Sequence, residues 1–466
     1  MNRKMKHLKL LFLLLVLSSN VIFAQQVNYS QALVDLISTK KWFEIENYYQ
    51  QYKDSIDTEF VKLWYLAQTG QVFNRPDEAI NAYEQLIDNN PLRKDTPTLM
   101  SLFGQPMLQL YADVQEYTKG EELSRKLKAF CEKDTVMQPD VQLSYIHGFT
   151  RAIESFKLFS KEYPKLTFIK NKVDSLNEIQ LLPKNNEPGS AIFFNAKWNG
   201  VNLRTIFDTG SSSCYIYNRA IAEKIGVNLN TADTIKMNES FGPIRCLSGV
   251  IDSLALGEFI IRNVPVVVNI ETIDPADFAK VKCDSIMNSS FDIVLGISVI
   301  RQLGVIEFDF VENTMSFHKK TTLGSKRNLY IDNAGFKALY MNMEICNADF
   351  VSYFDTGGGG LTINTDFYEK HQQCISTEAE AEQVKGGFGA CNEASISNRY
   401  EYRCPQIDIK INDRIITLIN DCSAIKDKEN DIALGAMEGG YLGTAIFKYC
   451  KKATFDFVNM VFSVEK

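Results

Sequence analysis

RTIFDTGSSS at residues 204–213 and VSYFDTGGGG at residues 351–360 decide how this chain is read. Each is a largely apolar run ending in Phe-Asp-Thr-Gly, and each continues into small residues. Four glycines in succession, Gly357 to Gly360, are poor material for a helix or a strand. Yet they stand directly after a segment with strand character. The same four letters twice in one chain suggest a duplicated unit, and the downstream spacing tests that idea.

Asp208 is followed 33 residues later by Phe241 in SFGPIR, and Asp355 is followed 33 residues later by Phe388 in GFGACN. Farther on, FDIVLGISVIRQLGVIEFDFVENTMSF (291–317) faces NDIALGAMEGGYLGTAIFKYCKKATFDFVNMVFSV (430–464). Both contain an acid, three apolar residues and a glycine, Gly296 or Gly435. These glycines lie 88 and 80 residues after their aspartates. Both copies then pass through a short helix to an FDF that opens a closing strand. A lone DTG is a weak signal. Two, each after an apolar strand and each repeating the downstream order, make a duplicated lobe.

These residues in this order resemble an aspartic protease, each copy being similar to a pepsin or retropepsin lobe, over residues from about 191 to 466. The resemblance implies that each lobe supplies one aspartate, Asp208 or Asp355, from a turn at a strand end. It implies that the apolar-glycine strand lies beside that turn and that a long hairpin folds over the cleft as a flap. Two copies in one chain would build the cleft within a monomer. In such a site two carboxylates about 3 Å apart share one proton. The ionised one takes a proton from water and the protonated one polarises the carbonyl.

Residues around the aspartates have physical roles in this reading. Gly210 and Gly357 let the backbone turn sharply. Thr209 and Thr356 resemble the pair that locks the two turns together. Ser211 supplies a hydroxyl for the outer oxygen of Asp208. Gly358, at the matching position, has none, so Asp355 is expected to lose a hydrogen bond to its ionised form and to be the protonated partner. The glycine run either leaves room for substrate or is a relaxed loop. Phe241-Gly242 and Phe388-Gly389 carry turn residues and are candidates for flap tips over an extended peptide, or for the ends of ordinary hairpins.

The preceding region differs in character. In RPDEAINAYEQLIDNNP (75–91), Pro76, Asp77 and Glu78 suit a first helical turn, Ala79, Tyr83 and Leu86 share a face, and Pro91 ends the helix. Counted back from Pro91, Leu66, Ala67, Ala79 and Tyr83 match the tetratricopeptide pattern, with a looser second candidate at 111–127. An ordinary helical bundle is the competing reading. LPKNNEPGS (182–190) has linker composition. The expected fold is therefore multidomain: a leader at 1–24, a helical, TPR-like domain at 25–181, a linker at 182–190, and an all-β bilobal protease domain with lobes at 191–320 and 321–466.

The leader carries Arg3, Lys4, Lys6 and Lys9 before the apolar run Leu10–Leu17 and ends at Ala24. That is the pattern of a secretory signal, and its apolar run is short for a membrane span. Without those four of the fifty basic residues, 46 stand against 57 acidic ones, a balance that suits solubility and not nucleic acid. The leader and repeat look bacterial, which places the protein in a periplasm or outside the cell. All ten cysteines lie after the leader and export permits disulfides, but their pairing cannot be read. Neither a zinc-site spacing nor HExxH occurs, and Cys214 reads as a core residue rather than a nucleophile. The expectation is an exported, monomeric aspartic endopeptidase without metal or cofactor. It acts on an extended polypeptide, has no membrane span after leader removal, and has a helical domain available to a protein partner. The alternative is a module that clasps a peptide in the same cleft with little or no cleavage.

Overall fold

A computed structural model describes residues 28–89, 96–170, 177–182, 191–239, 242–271, 291–318, 326–332, 337–386, 397–430 and 439–466. The chain divides into two compact units, one up to Lys161 and one from Glu162 onward.

The first unit is helical. It comprises α1 (Tyr29–Thr39), α2 (Trp42–Tyr52), α3 (Glu59–Val72), α4 (Pro76–Asp88), α5 (Thr96–Leu99), a π-helical turn (Met100–Gly104), α6 (Gln105–Asp113), α7 (Tyr117–Lys133) and α8 (Pro139–Glu162). Proline in the first turn of α4, followed by Asp77 and Glu78, satisfies the amide-rich helix start. The face bearing Ala79, Tyr83 and Leu86 is buried. Small residues set helix spacing: a Cβ on Gly70 would lie 2.8 Å from the Ala79 amide nitrogen, and one on Gly120 would lie 2.4 Å from the Phe156 ring. No helix among the described residues is long and apolar enough to cross a membrane.

The second unit is built from strands. In chain order these are β1 (Thr167–Lys170), β2 (Asn177–Leu182), β3 (Ile192–Trp198), β4 (Val201–Asp208), β5 (Cys214–Ile216), β6 (Asn228–Glu239), β7 (Gly242–Leu256), β8 (Phe259–Asn269), β9 (Ile293–Gly296), β10 (Val305–Asp309), β11 (Thr314–His318), β12 (Leu329–Asp332), β13 (Ala338–Ile345), β14 (Ala348–Phe354), β15 (Leu361–Ile363), β16 (Ala381–Gly386), β17 (Ser397–Ile411), β18 (Arg414–Ala424), β19 (Gly440–Leu442), β20 (Lys452–Asp456) and β21 (Val461–Glu465). They form two sheets. One runs β21-β20-β10-β11-β2-β3-β4-β9-β5-β8-β7-β6, with β1 on β8; the other runs β12-β13-β14-β19-β15-β18-β17-β16. A helical region followed by a β region of two sheets is the architecture expected.

Two boundaries differ from the sequence reading. Residues 167–170 and 177–181, expected to be helical, supply β1 and, with Leu182 of the expected linker, β2, and β2 pairs with both β3 and β11. Except for Leu182, the linker lies outside the described residues. The final hairpin, β20 and β21, leaves the sheet of its own lobe and continues the first sheet through β10. In that pairing Glu307 faces Thr454, with Val305 opposite Asp456 and Asp309 opposite Lys452. The two FDF segments are thus related by an approximate two-fold through the Glu307–Thr454 pair. Phe207, Phe308, Phe354 and Phe455 are fully buried and meet there, with ring centroids 5.1 Å apart for Phe207–Phe308 and 5.3 Å for Phe354–Phe455. Each buried phenylalanine contributes about 1.5–3 kcal/mol. This cluster fixes the backbone immediately before each aspartate.

Among the described cysteines, Cys346 and Cys374 form a disulfide, Cys131, Cys214, Cys404, Cys422 and Cys450 are buried thiols, and Cys246 is buried in the core.

Candidate active site

Strand β4 ends at Asp208 and runs parallel to β9, with Asp208 opposite Gly296. A Cβ at Gly296 would lie 2.1 Å from the Ser213 carbonyl oxygen, so the approach of the DTG turn requires glycine. Lobe 2 repeats this arrangement, but not with the expected residue. Strand β14 runs parallel to β19, pairing Tyr353 with Tyr441 and Phe354 with Leu442, and the Asp355 amide donates to the Leu442 carbonyl at 2.9 Å. The glycine that follows is Gly443, whose Cβ would lie 2.2 Å from the Gly359 oxygen. Gly435, taken as the counterpart from the sequence, lies outside the described residues. Gly443 stands 88 residues after Asp355, the same interval as Gly296 after Asp208. Requiring equal intervals in both copies would have selected YLG over ALG.

The two turns lock through their threonines. The Thr209 amide donates to Thr356 Oγ1 at 3.0 Å, and Thr209 Oγ1 donates to the Phe354 carbonyl at 2.7 Å. Reciprocally, the Thr356 amide donates to Thr209 Oγ1 at 3.0 Å, and Thr356 Oγ1 donates to the Phe207 carbonyl at 2.8 Å. Both threonines are fully buried. Each glycine of a DTG turn faces the opposite carboxyl. A Cβ on Gly210 would lie 2.3 Å from Asp355 Cγ, and one on Gly357 would lie 2.8 Å from Asp208 Cγ. Asp208 and Asp355 are thereby brought together, hydrogen-bonded to each other.

The donors around each carboxyl differ. Asp208 Oδ1 accepts from the amides of Gly210 at 2.8 Å and Ser211 at 3.1 Å. The Ser211 hydroxyl, expected on Asp208, instead donates to the Ser213 carbonyl at 2.8 Å. Asp355 Oδ1 accepts from the Gly357 amide at 2.7 Å, and its Oδ2 accepts from the Tyr441 hydroxyl at 3.2 Å. Tyr353, the ladder partner of Tyr441, donates its hydroxyl to the Gly210 carbonyl at 2.9 Å. Neither tyrosine was singled out in the sequence; their only signal there is two aromatics at positions that the aligned first copy fills with Ile206 and Val294.

Burial raises both carboxyls above the ordinary carboxylate range. Asp208 is raised well above it, because the Asp355 charge opposes a second charge in addition to the burial. On Asp355 burial is opposed by hydrogen bonds from Asp208, the Gly357 amide and the Tyr441 hydroxyl. The phenol on Asp355 offsets the hydrogen bond expected to be lost at Gly358, and the two carboxyls titrate as one pair. The hydroxyl absent at Gly358 is supplied from β19. Burial pushes the Cys214 thiol up to about 12, which suits a core residue and not a nucleophile.

The glycine run also has partners. Its carbonyls accept from the amides of Gly443 (to Gly360), Thr444 (to Gly358) and Ala445 (to Gly359) at 2.9–3.0 Å. A Cβ on Gly360 would lie 2.8 Å from the Asp421 carbonyl oxygen, whereas one on Gly359 would meet open space.

Of the flap candidates, Gly242 pairs with Glu239 at the end of the β6–β7 hairpin, which brackets Phe241. Strands β16 and β17 form a second hairpin, with Gly386 opposite Ser397. Phe241, Phe388 and Gly389 themselves lie outside the described residues. Among the described residues no group of three His, Cys, Asp or Glu is placed to hold a metal ion.

Residues 194–299 match the family model of aspartyl proteases. The match spans lobe 1 from β3 through Asp208 and Gly296, so the β unit contains an aspartyl protease-like domain. Three solved structures are similar to this chain at low scores. A retropepsin-like aspartic protease from Rickettsia conorii has 15% identity and a TM-score of 0.21, over 33% of this chain and 94% of that one. Basic 7S globulin from soybean has 8% identity and a TM-score of 0.35, over 62% and 95%. Conglutin gamma, a basic 7S globulin from lupine seeds, has 7% identity and a TM-score of 0.36, over 63% and 95%. With TM-scores this low, none of the three adds to the assignment. No curated protein matches.

Proposed function

We propose that this chain is an exported aspartic endopeptidase in which Asp208 and Asp355 act as one dyad. The observation that carries the reading is the reciprocal Thr209–Thr356 lock, which seats both carboxyls against each other in a buried site. Two neighbouring carboxyls in such a place hold a single proton at mildly acidic pH, and the two titrations belong to the pair. The ionised carboxylate takes a proton from a water as that water attacks the scissile carbonyl. The protonated carboxyl donates to the carbonyl oxygen, and the leaving nitrogen is protonated as the bond breaks. No covalent intermediate is needed.

The β6–β7 and β16–β17 hairpins are the elements suited to cover an extended polypeptide, with main-chain pairing as the source of affinity. Export is supported by the basic-apolar-small pattern of residues 1–24 and by the Cys346–Cys374 disulfide, which persists in an oxidising compartment. In this reading the chemistry resides in the β unit, and recruitment of a protein partner is the role left to the helices.

The test is cleavage of a diverse peptide pool across pH 3 to 8, read by mass spectrometry, beside Asp208→Asn and Asp355→Asn. Cleavage by the wild type and silence from both variants is the expected result. Cleavage surviving in either variant would overturn the dyad. Binding without cleavage at any pH would move the peptide-clasping reading ahead.

A further inference from the structure

We propose that Gly358 and Tyr441 form one device that makes the two carboxyls unequal. The missing side chain at 358 opens the space from which the Tyr441 hydroxyl donates to Asp355, and this keeps Asp355 the ionised member of the pair. The catalytic meaning rests on the protease reading above; the electrostatics do not.

The two lobes carry opposite residue pairs at matching positions. In lobe 1 the residue after the DTG turn is Ser211, and the strand position two before the conserved-interval glycine is Val294, opposite Ile206. In lobe 2 these positions are Gly358 and Tyr441, the latter opposite Tyr353. A Cβ on Gly358 would lie 1.3 Å from the Tyr441 phenolic oxygen, so a side chain at 358 and a phenol at 441 cannot coexist as placed. Glycine is present here because the hydroxyl arrives from another strand.

The consequence falls on Asp355. Its Oδ1 accepts from the Gly357 amide and its Oδ2 from the phenol, whereas the amide donors to Asp208 converge on Oδ1 alone. The titratable groups facing Asp355 are Asp208 on the opposite turn, Tyr441 on β19 and Tyr353 on β14, with Tyr340 of β13 behind Tyr353. None of these brings a positive charge, so the difference between the carboxyls is one of hydrogen bonding. In the reaction Asp355 then takes the proton from water, and Asp208 holds the proton given to the carbonyl oxygen. Tyr441 is a positioning residue: it acts through Asp355.

The decisive experiment titrates the carboxyl carbons of 13C-aspartate-labelled protein by NMR, with signals assigned through Asp208→Asn and Asp355→Asn. In wild type, Asp355 should ionise first as pH rises. Tyr441→Phe removes a donor to the ionised form and leaves the ring, so the Asp355 midpoint should move up by about one pH unit. The acid limb of any peptide cleavage should move up with it. This measurement decides the proposal even if the wild type cuts nothing, a result that would count against the protease reading alone. An Asp355 midpoint unmoved in Tyr441→Phe overturns the proposal. The steric half has its own test. Gly358→Ser should lower Tm, and Gly358→Ser with Tyr441→Val, the lobe 1 pair, should restore it. A double variant no more stable than Gly358→Ser would show that the two positions are not one unit.

Discussion

Thr209 and Thr356 exchange hydrogen bonds across the lobe interface, each hydroxyl accepting from the other's amide and donating to the carbonyl that precedes the other's aspartate. Four main-chain groups in a dry interface are satisfied by two side chains. Valine at either position keeps the shape and removes two of these bonds. A buried group left unsatisfied costs about 1–3 kcal/mol, so Thr209→Val and Thr356→Val should each lose roughly 2–4 kcal/mol in urea denaturation. Serine, which keeps the hydroxyl, should lose less. A valine variant as stable as wild type would show that the lock contributes little.

Stability should respond to pH through Asp208. Its carboxyl is held well above the ordinary range by burial and by the Asp355 charge. Between the unfolded value, near 4, and its raised folded value, the native state binds more protons than the unfolded chain. Stability from this group therefore falls as pH rises through that window. Asp208→Asn removes the penalty. The variant should be more stable than wild type at pH 7, with the gain vanishing below about pH 4. Calorimetry at both pH values would check this, and a variant less stable at pH 7 would contradict it.

The glycines divide sharply by what a methyl group would meet. Gly443→Ala drives Cβ into the Gly359 carbonyl oxygen and should cost about 3 kcal/mol, the upper part of the range for overpacking. Gly359→Ala points into open space and should stay within about 0.5 kcal/mol of wild type. Equal effects of the two changes would mean that the glycine run is not held as described.

The Cys346–Cys374 disulfide closes a loop with a sequence separation of 28. Loop-closure entropy assigns it about 3–4 kcal/mol. Replacing both cysteines by alanine should lower the urea midpoint accordingly, and reductant should then have no further effect on the variant through this pair.

Removal of the helical unit should be tolerated only if the cut respects the strands. A chain beginning at residue 163 keeps β1 and β2, whereas one beginning at 191 strips β2 from between β3 and β11. The shorter chain exposes two unpaired strand edges and should be the less soluble and less cooperative of the two in thermal unfolding.

The local signals were sound where chemistry is local. Two FDTG turns after apolar strands, the proline and acids at the start of α4, and the phenylalanines of both FDF segments could be read from single stretches, because turn residues, helix starts and buried strands are dictated by nearby atoms. The threonine pair and both aspartates were legible for the same reason. Gly435 and Gly443 could not be told apart on that basis, since each ends a short apolar run; only the parallel ladder of β14 with β19 selects the second. Strands β1 and β2 pair with residues about 90 to 140 positions away, as well as β2 with the nearby β3, and the distant pairings are a constraint that no local window contains. Tyr441 reaches Asp355 from 86 residues farther along the chain. The sequence by itself determined that two turns each present one carboxyl. Which hydroxyl stands beside Asp355 was decided only by tertiary structure, because a phenol from a distant strand occupies the space that Gly358 leaves empty.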